Sequence, residues 1–314
     1  MLAQSSNAGQ GIPKFSKTPE SMPTSTELNS FARSILVTPK GDEILGTDED
    51  GFFMRMELKA TYDDQFDVPE AIISPMRDPQ GDRIVRGNTG RGLAIDGTYR
   101  GGGRGPLFVT YMESKRMLKY VKMIQLNFKI HKLYRVLDSP PGPIRRRVPE
   151  VDISHVLDEC EYAPQAIDKM RPDPLLPAYL LMICDEPTKR GGSIYPAFAY
   201  DGEEVPIRFE VESDGGFVPV DMAGLSDGSL MILFRGPKHT LRIGLVSSRD
   251  LSSAMRRRGV AVTPQIILEA AESDGFNVGS TSGLAIREDD GKVFVYIVDS
   301  GFPSVYLTAF EWIS

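Results

Sequence analysis

Thr47-Asp48-Glu49-Asp50-Gly51 packs three carboxylates into one turn. Closely spaced carboxylates suit a hard cation, so Asp48 and Asp50 are where Ca²⁺ would bind, although the spacing is not that of an EF-hand. The competing reading is an acidic reverse turn between strands, in which Asp and Gly serve only the backbone. Gly101-Gly102-Gly103-Arg104-Gly105 has the glycine density of a phosphate cradle. It lacks the Walker lysine, and the β-prone run Leu107 to Tyr111 follows it instead of a helix, which favours a flexible loop. Two arginine triplets, Arg145-Arg146-Arg147 and Arg256-Arg257-Arg258, stand out in an acidic chain. Each would dock an acidic partner, a phosphate-bearing ligand or a membrane surface, or else form a solvated face. No Gly-x-Ser-x-Gly signature occurs, which disfavours a serine hydrolase. His131, His155 and His239 are scattered without the spacing of zinc ligands.

The elements that must position these residues are repeated β-meanders. The clearest runs from Gly283 to Trp312: a short apolar run, a turn at Asp289-Asp290-Gly291, a β-branched run Val293 to Val298, a break at Asp299 to Pro303, and an alternating run Val305 to Trp312. Similar units start at Ser34, Gly92, Gln165 and Asp221, the last with an Asp227-Gly228 hairpin signal. The starts fall roughly 60–75 residues apart, longer than the commonest ~40–50-residue propeller repeats. Each unit shows about three strands, and Glu70 to Arg86, Lys129 to Leu137 and Pro206 to Glu212 could add fourth ones. Five readable units and a sixth assembled from leftovers predict an all-β, six-bladed β-propeller over residues 31–314; two β-sandwiches are the alternative. Residues 1–30, rich in Ser, Thr, Pro and Asn, read as a flexible N-terminal arm without the hydrophobic core of a secretory signal. Asp250 to Gly259 reads as one short helix with Asp250 as its N-cap. Ser139 to Pro149 holds too much proline for regular structure and reads as a loop or exposed arm.

Composition narrows the function. The 314 residues carry 36 Lys and Arg against 43 Asp and Glu, a net charge of −7, which disfavours nucleic acid as the main partner. No apolar stretch approaches the ~20 residues that cross a bilayer. Cys160 and Cys184 read as two buried thiols, with a bridge open if the chain lies in an oxidising compartment. The compartment itself is left open.

The units resemble, in the same order, the phytase-like domain known as the "esterase-like activity of phytase" family. The resemblance rests on Thr38-Pro39-Lys40-Gly41, Leu45 to Gly51, Met76-Arg77-Asp78-Pro79-Gln80-Gly81, Arg91-Gly92-Leu93-Ala94, Tyr111 to Met117, Pro219 to Leu233 and Ser280 to Ala285. It implies a propeller whose recurring glutamates, just before Gly-Leu-Ala, converge at the axial mouth to hold Ca²⁺ or act as acid and base. This chain has Arg91, Gln165 and Ser282 at those positions. Asp48, Glu113, Arg116, Asp221 and Asp299 remain as central-channel candidates, with Arg91 a counter-charge that would turn a metal site into a salt-bridged plug. Two functions follow. One is a binding or scaffold propeller, a subunit of a larger assembly that docks a protein partner through its N-terminal arm and Pro/Arg-rich loop. The other is a Ca²⁺-dependent phosphoesterase working with a reduced set of acids.

Overall fold

The structure, a computed structural model, describes residues 12–15, 20–21, 33–60 (without 49), 66–111 (without 79 and 85–89), 116–122, 150–151, 153, 156, 158–257 (without 203–205) and 260–313 (without 275–277, 279 and 301–305). Strands β1 (Ile12–Phe15) and β2 (Glu20–Ser21) come first in the chain but belong to its last sheet. Blade 1 is β3 (Ile35–Val37), β4 (Glu43–Thr47), β5 (Phe52–Ala60) and β6 (Phe66–Pro75). Blade 2 is β7 (Gly90–Ile95), β8 (Arg104–Tyr111), β9 (Arg116–Lys122) and β10 (Glu150–Val151). Blade 3 is β11 (Ala166–Lys169), β12 (Leu180–Ile183), β13 (Ile194–Tyr200) and β14 (Ile207–Glu212).

Blade 4 starts with β15 (Val218–Gly224), β16 (Leu230–Gly236) and β17 (Thr240–Val246). The chain then detours through helix α1 (Ser248–Arg256) and β18 (Ala261–Val262), which pairs parallel to β14 of blade 3, before β19 (Gln265–Ala271) completes the blade. Blade 5 is β20 (Thr281–Asp289), β21 (Lys292–Asp299) and β22 (Tyr306–Ile313). Its outer strand is β1, antiparallel to β22 from Ile12 opposite Ile313 to Phe15 opposite Phe310.

The protein is thus an all-β propeller, and among the described residues it has five blades where the sequence predicts six. Two segments read as fourth strands do complete their blades: Glu70 to Pro75 lies in β6, and Ile207 to Glu212 is β14. Lys129 to Leu137 lies outside the described residues. The packing gives the same number. Five apolar clusters each bridge one pair of neighbouring blades, and the one joining Ile35, Ile44 and Met56 to Tyr296, Val298 and Leu307 closes blade 5 onto blade 1. Burying the faces of each blade against two neighbours is what stabilises a ring of sheets that could not stand alone. The inner strands β3, β7, β11, β15 and β20 pack on one another in that order around the axis. All six residues of β7 are buried, as expected for a strand enclosed on both faces.

Local chemistry explains the turns. Asp290 and Gly291 both take positive φ, 53° and 76°, and set Asp289 opposite Lys292 in the tight hairpin expected of Asp-Gly. The helix starts earlier than the sequence suggests. Its N-cap is Ser247, whose Oγ accepts from the N–H of Asp250, while Asp250 sits in the first turn beside the positive end of the helix dipole. Cys160 and Cys184 form a disulfide with Cα atoms 5.4 Å apart, in the apolar layer between blades 2 and 3. The reading as two free thiols is therefore corrected. The spacing of two isolated cysteines carries no pairing information; a connection between blade 2 and blade 3 laid against β12 is what brings them together.

Candidate functional site

The first residues of the inner strands meet at one end of the axis, and their side chains hold the blades together. Ser34, just before β3, is fully buried; its Oγ lies 3.1 and 3.0 Å from the two carboxylate oxygens of Asp221 in β15 and 3.3 Å from the carbonyl of Leu93 in β7. Asp221 also accepts from the N–H groups of Leu284 in β20 (2.7 Å) and Met222 (3.0 Å). One carboxyl thus spans blades 1, 4 and 5. Burial pushes it well above the usual carboxylate range, against the opposing pull of these donors and with the Asp168 carboxyl adding to the rise. Gln165, 1% exposed, donates from Nε2 to the carbonyls of Arg33 (3.1 Å) and Ser282 (3.2 Å), tying blade 3 to blades 1 and 5. Thr110 donates to the Pro164 carbonyl and accepts from the Gly92 N–H. Gly92 is obligatory there, since a Cβ would lie 2.4 Å from the Gln165 carbonyl oxygen.

Around this plug lie three arginines. Arg91 is 9% exposed, pairs with Asp185 (Nη1 to Oδ2, 2.7 Å), donates to the Ala163 carbonyl and stands over the Tyr162 ring. Arg33 is brought down to about 10, first by burial and then by the charges of Arg91 and Arg235; Arg235 is lowered for the same reasons, burial first.

At the other end of the axis, the last residues of all five inner strands line a cavity of about 300 Å³. Ile35, Val37, Leu93, Ile95, Met222 and Leu284 lie along it with their side chains buried between blades, and Asp168, Lys169, Arg171, Arg287 and Glu288 carry its charge. The Asp168 carboxyl accepts from the Gly224 N–H (3.0 Å), and enclosure by protein raises it to about 7.

Of the residues singled out in the sequence, Asp221 reaches the axis and works there. Asp48 and Asp299 are buried but serve their own blades. Asp48 Oδ1 accepts from the N–H of Asp50 (2.9 Å) and Phe52 (2.7 Å), and Asp299 Oδ2 accepts from the Ser280 N–H and the Thr281 hydroxyl. Arg91 pairs with Asp185 rather than with any of the carboxylates expected for it. The signal for Asp185 was the acid repeated at the end of the second strand in three blades: Asp48, Asp185 and Asp299. Glu113 and the side chain of Arg116 lie outside the described residues, as do Arg145, Arg146, Arg147 and Arg258; Arg256 and Arg257 are exposed at the end of α1. The Gly-rich loop is tied down: Gly102 N–H donates to Glu43 (2.7 Å), Gly103 N–H donates to Tyr99, and the Tyr99 hydroxyl donates to Glu43. Its glycines bind the protein's own carboxylate. In the turn read as a Ca²⁺ loop, Asp48 Oδ1 is engaged by the turn's own N–H groups. Among the described residues, no group of three Asp, Glu, His or Cys side chains is placed to hold a metal.

No protein-family profile matches the chain, and no curated protein matches it in sequence. Several solved structures are similar to it at low identity. The tail fiber of a Staphylococcus aureus phage is similar over 96% of this chain, with 11% identity and a TM-score of 0.42; the chain spans 53% of that fiber's length. U3-55K is similar over 94% of this chain and 98% of its own, with 9% identity and a TM-score of 0.42. The β-propeller domain of Myceliophteria thermophila Cps50 (Swd1) is similar over 96% of this chain and 100% of its own, with 9% identity and a TM-score of 0.37.

Proposed function

We propose that this chain is a binding propeller, a scaffold subunit of a larger protein assembly, diverged from a phytase-like ancestor whose acidic site it no longer keeps. The observation that carries this reading is the engagement of the axial carboxyl. Asp221 is hydrogen-bonded to three blades and raised by burial, so its role is to join sheets rather than to polarise a substrate. A metal-assisted phosphoesterase needs carboxylates free to take a cation, and Arg91, Gln165 and Ser282 stand where the resemblance calls for acids. The Cys160–Cys184 bond supports residence in an oxidising compartment. Among the described residues no helix is long and apolar enough to cross a membrane.

Docking through the exposed Arg256 and Arg257, and through Arg145, Arg146 and Arg147, is the partner mode this reading favours. The first test is hydrolysis of p-nitrophenyl phosphate and phytate with and without Ca²⁺. Robust calcium-dependent turnover would overturn the scaffold reading. The second is quantitative affinity capture with the wild type and with Arg256→Glu/Arg257→Glu, in which a stoichiometric partner is expected to be lost on charge reversal. Deleting residues 1–30 is a poor test of the arm, because it also removes β1 and β2 from blade 5.

A further inference from the structure

Helix α1 is an addition to the propeller plan. Blade 3 passes from β13 to β14, but blade 4 leaves β17, lays α1 and β18 against blade 3, and only then forms β19. Leu251 and Ala254 are buried in the cluster that holds Phe209, Val211 and Val262, so the apolar side of the helix is used up inside the protein. The side turned to solvent carries Arg249, Ser253 and Arg256, four and three residues apart and therefore in line, with Arg257 at the C-cap. Among the described residues, no ion pair or hydrogen bond engages these three arginine side chains. Asp250, the one acid of the helix, is turned to the cap, where its Oδ2 accepts from the Ser247 hydroxyl (2.7 Å). Helix stability does not account for the stripe. Arg256, in the last turn, suits the negative end of the dipole, but Arg249 lies in the first turn, where a cation opposes the positive end.

We propose that the exposed face of α1 docks an acidic helix of a partner protein. The partner's backbone crosses over Ser253, and its carboxylates reach Arg249 at one end and Arg256 and Arg257 at the other. The inference rests on the scaffold reading and names the kind of partner it takes. Arg249 and Arg256 are two turns apart, about 10 Å along the axis, a spacing that acids seven residues apart on a second helix reproduce. A small side chain at the crossing lets two helices approach closely. A bilayer would need the apolar side that Leu251 and Ala254 have already buried, and the net charge of −7 disfavours nucleic acid.

The test is fluorescence anisotropy of the full chain, at low ionic strength, with labelled alanine-based helical peptides. One peptide carries glutamates seven apart on one face; its isomer has the same composition with the glutamates on opposite faces. Saturable binding of the first is expected, about fivefold tighter than of the isomer and weakened by salt. Arg249→Glu should weaken it about fivefold, and a peptide with lysines in place of the glutamates should bind this variant better than the wild type. Absence of saturable binding, equal affinity for the two isomers, or indifference to Arg249→Glu overturns the proposal. Cosedimentation with phosphatidylserine vesicles that Arg249→Glu abolishes, without peptide binding, overturns it in favour of a membrane surface. A captured partner lost with Arg256→Glu/Arg257→Glu but unaffected by Arg249→Glu sinks the stripe and leaves the scaffold reading standing; calcium-dependent hydrolysis beside intact peptide binding does the reverse.

Discussion

Asp48→Asn is expected to stabilise the protein, and only on the alkaline side. Asp48 is 3% exposed, and burial, reinforced by the charge of Asp50, raises it from 3.8 to about 7 in the folded chain, against the pull of the N–H groups it accepts. A carboxyl raised on folding favours the folded state fully below its unfolded value. That advantage is lost as pH rises from about 4 through 7, because the unfolded chain releases its proton first. At ~1.36 kcal/mol per pH unit the gap sets a ceiling of about 4 kcal/mol, and local opening of the turn reduces this to about 2. Asparagine keeps an Oδ1 for the N–H groups of Asp50 and Phe52, so the turn survives and only the ionisation goes. Urea unfolding followed by far-UV circular dichroism at pH 4, 6 and 8 reads the difference directly. Wild type and variant should agree near pH 4, and the variant should lead by about 2 kcal/mol at pH 8. A variant less stable by the same amount at every pH would refute the reasoning, since Asp48 would then be an ionised turn cap.

Three further outcomes follow from the ring. Asp221→Ala leaves the N–H groups of Leu284 and Met222 without this acceptor, while the Ser34 hydroxyl keeps the Leu93 carbonyl; at ~1–3 kcal/mol for each buried orphan, chemical denaturation should show a loss of ~3 kcal/mol. Gly92→Ala drives a Cβ to 2.4 Å from a backbone carbonyl and 2.8 Å from Ile167 Cγ1. Blade 3 must then shift, and a fall in thermal midpoint corresponding to ~3 kcal/mol or more is expected. Cys160→Ser/Cys184→Ser opens a link between residues 24 apart; a stability loss of about 3 kcal/mol is expected, matched by reductant on the wild type and without effect on the variant.

Strand-level order was legible because each blade carries its own punctuation. Asp289-Asp290-Gly291 and Asp227-Gly228 turn where their φ requirements say they should, and β-branched runs between them become strands. Blade number was not legible, because an outer strand such as β14 is recognisable as a strand but carries nothing local that says which unit it completes. The site was legible in part. Asp221 stood out by its place in the fourth unit, and Arg91 by its departure from the phytase-like pattern. Ser34 and Asp168 carried no local signal: a serine before a strand and an aspartate within one gain their roles from residues up to 187 positions away. Asp185 shared the strand-end acid of Asp48 and Asp299, but its partner, a strand start in another blade, was not legible.

The pairing of β1 with β22 has a consequence for how the chain is made. Residues 12–15 leave the ribosome long before residues 310–313, so the strand that seals the ring has no partner until blade 5 is made. Blades 1 to 4 can each form their hairpins from neighbouring sequence as they emerge, whereas blade 5 gains its outer strand only by reaching back to the start. Until then the β22 edge is open to strands from other chains. A nascent chain of this protein therefore carries its own clasp from the outset and fastens it last.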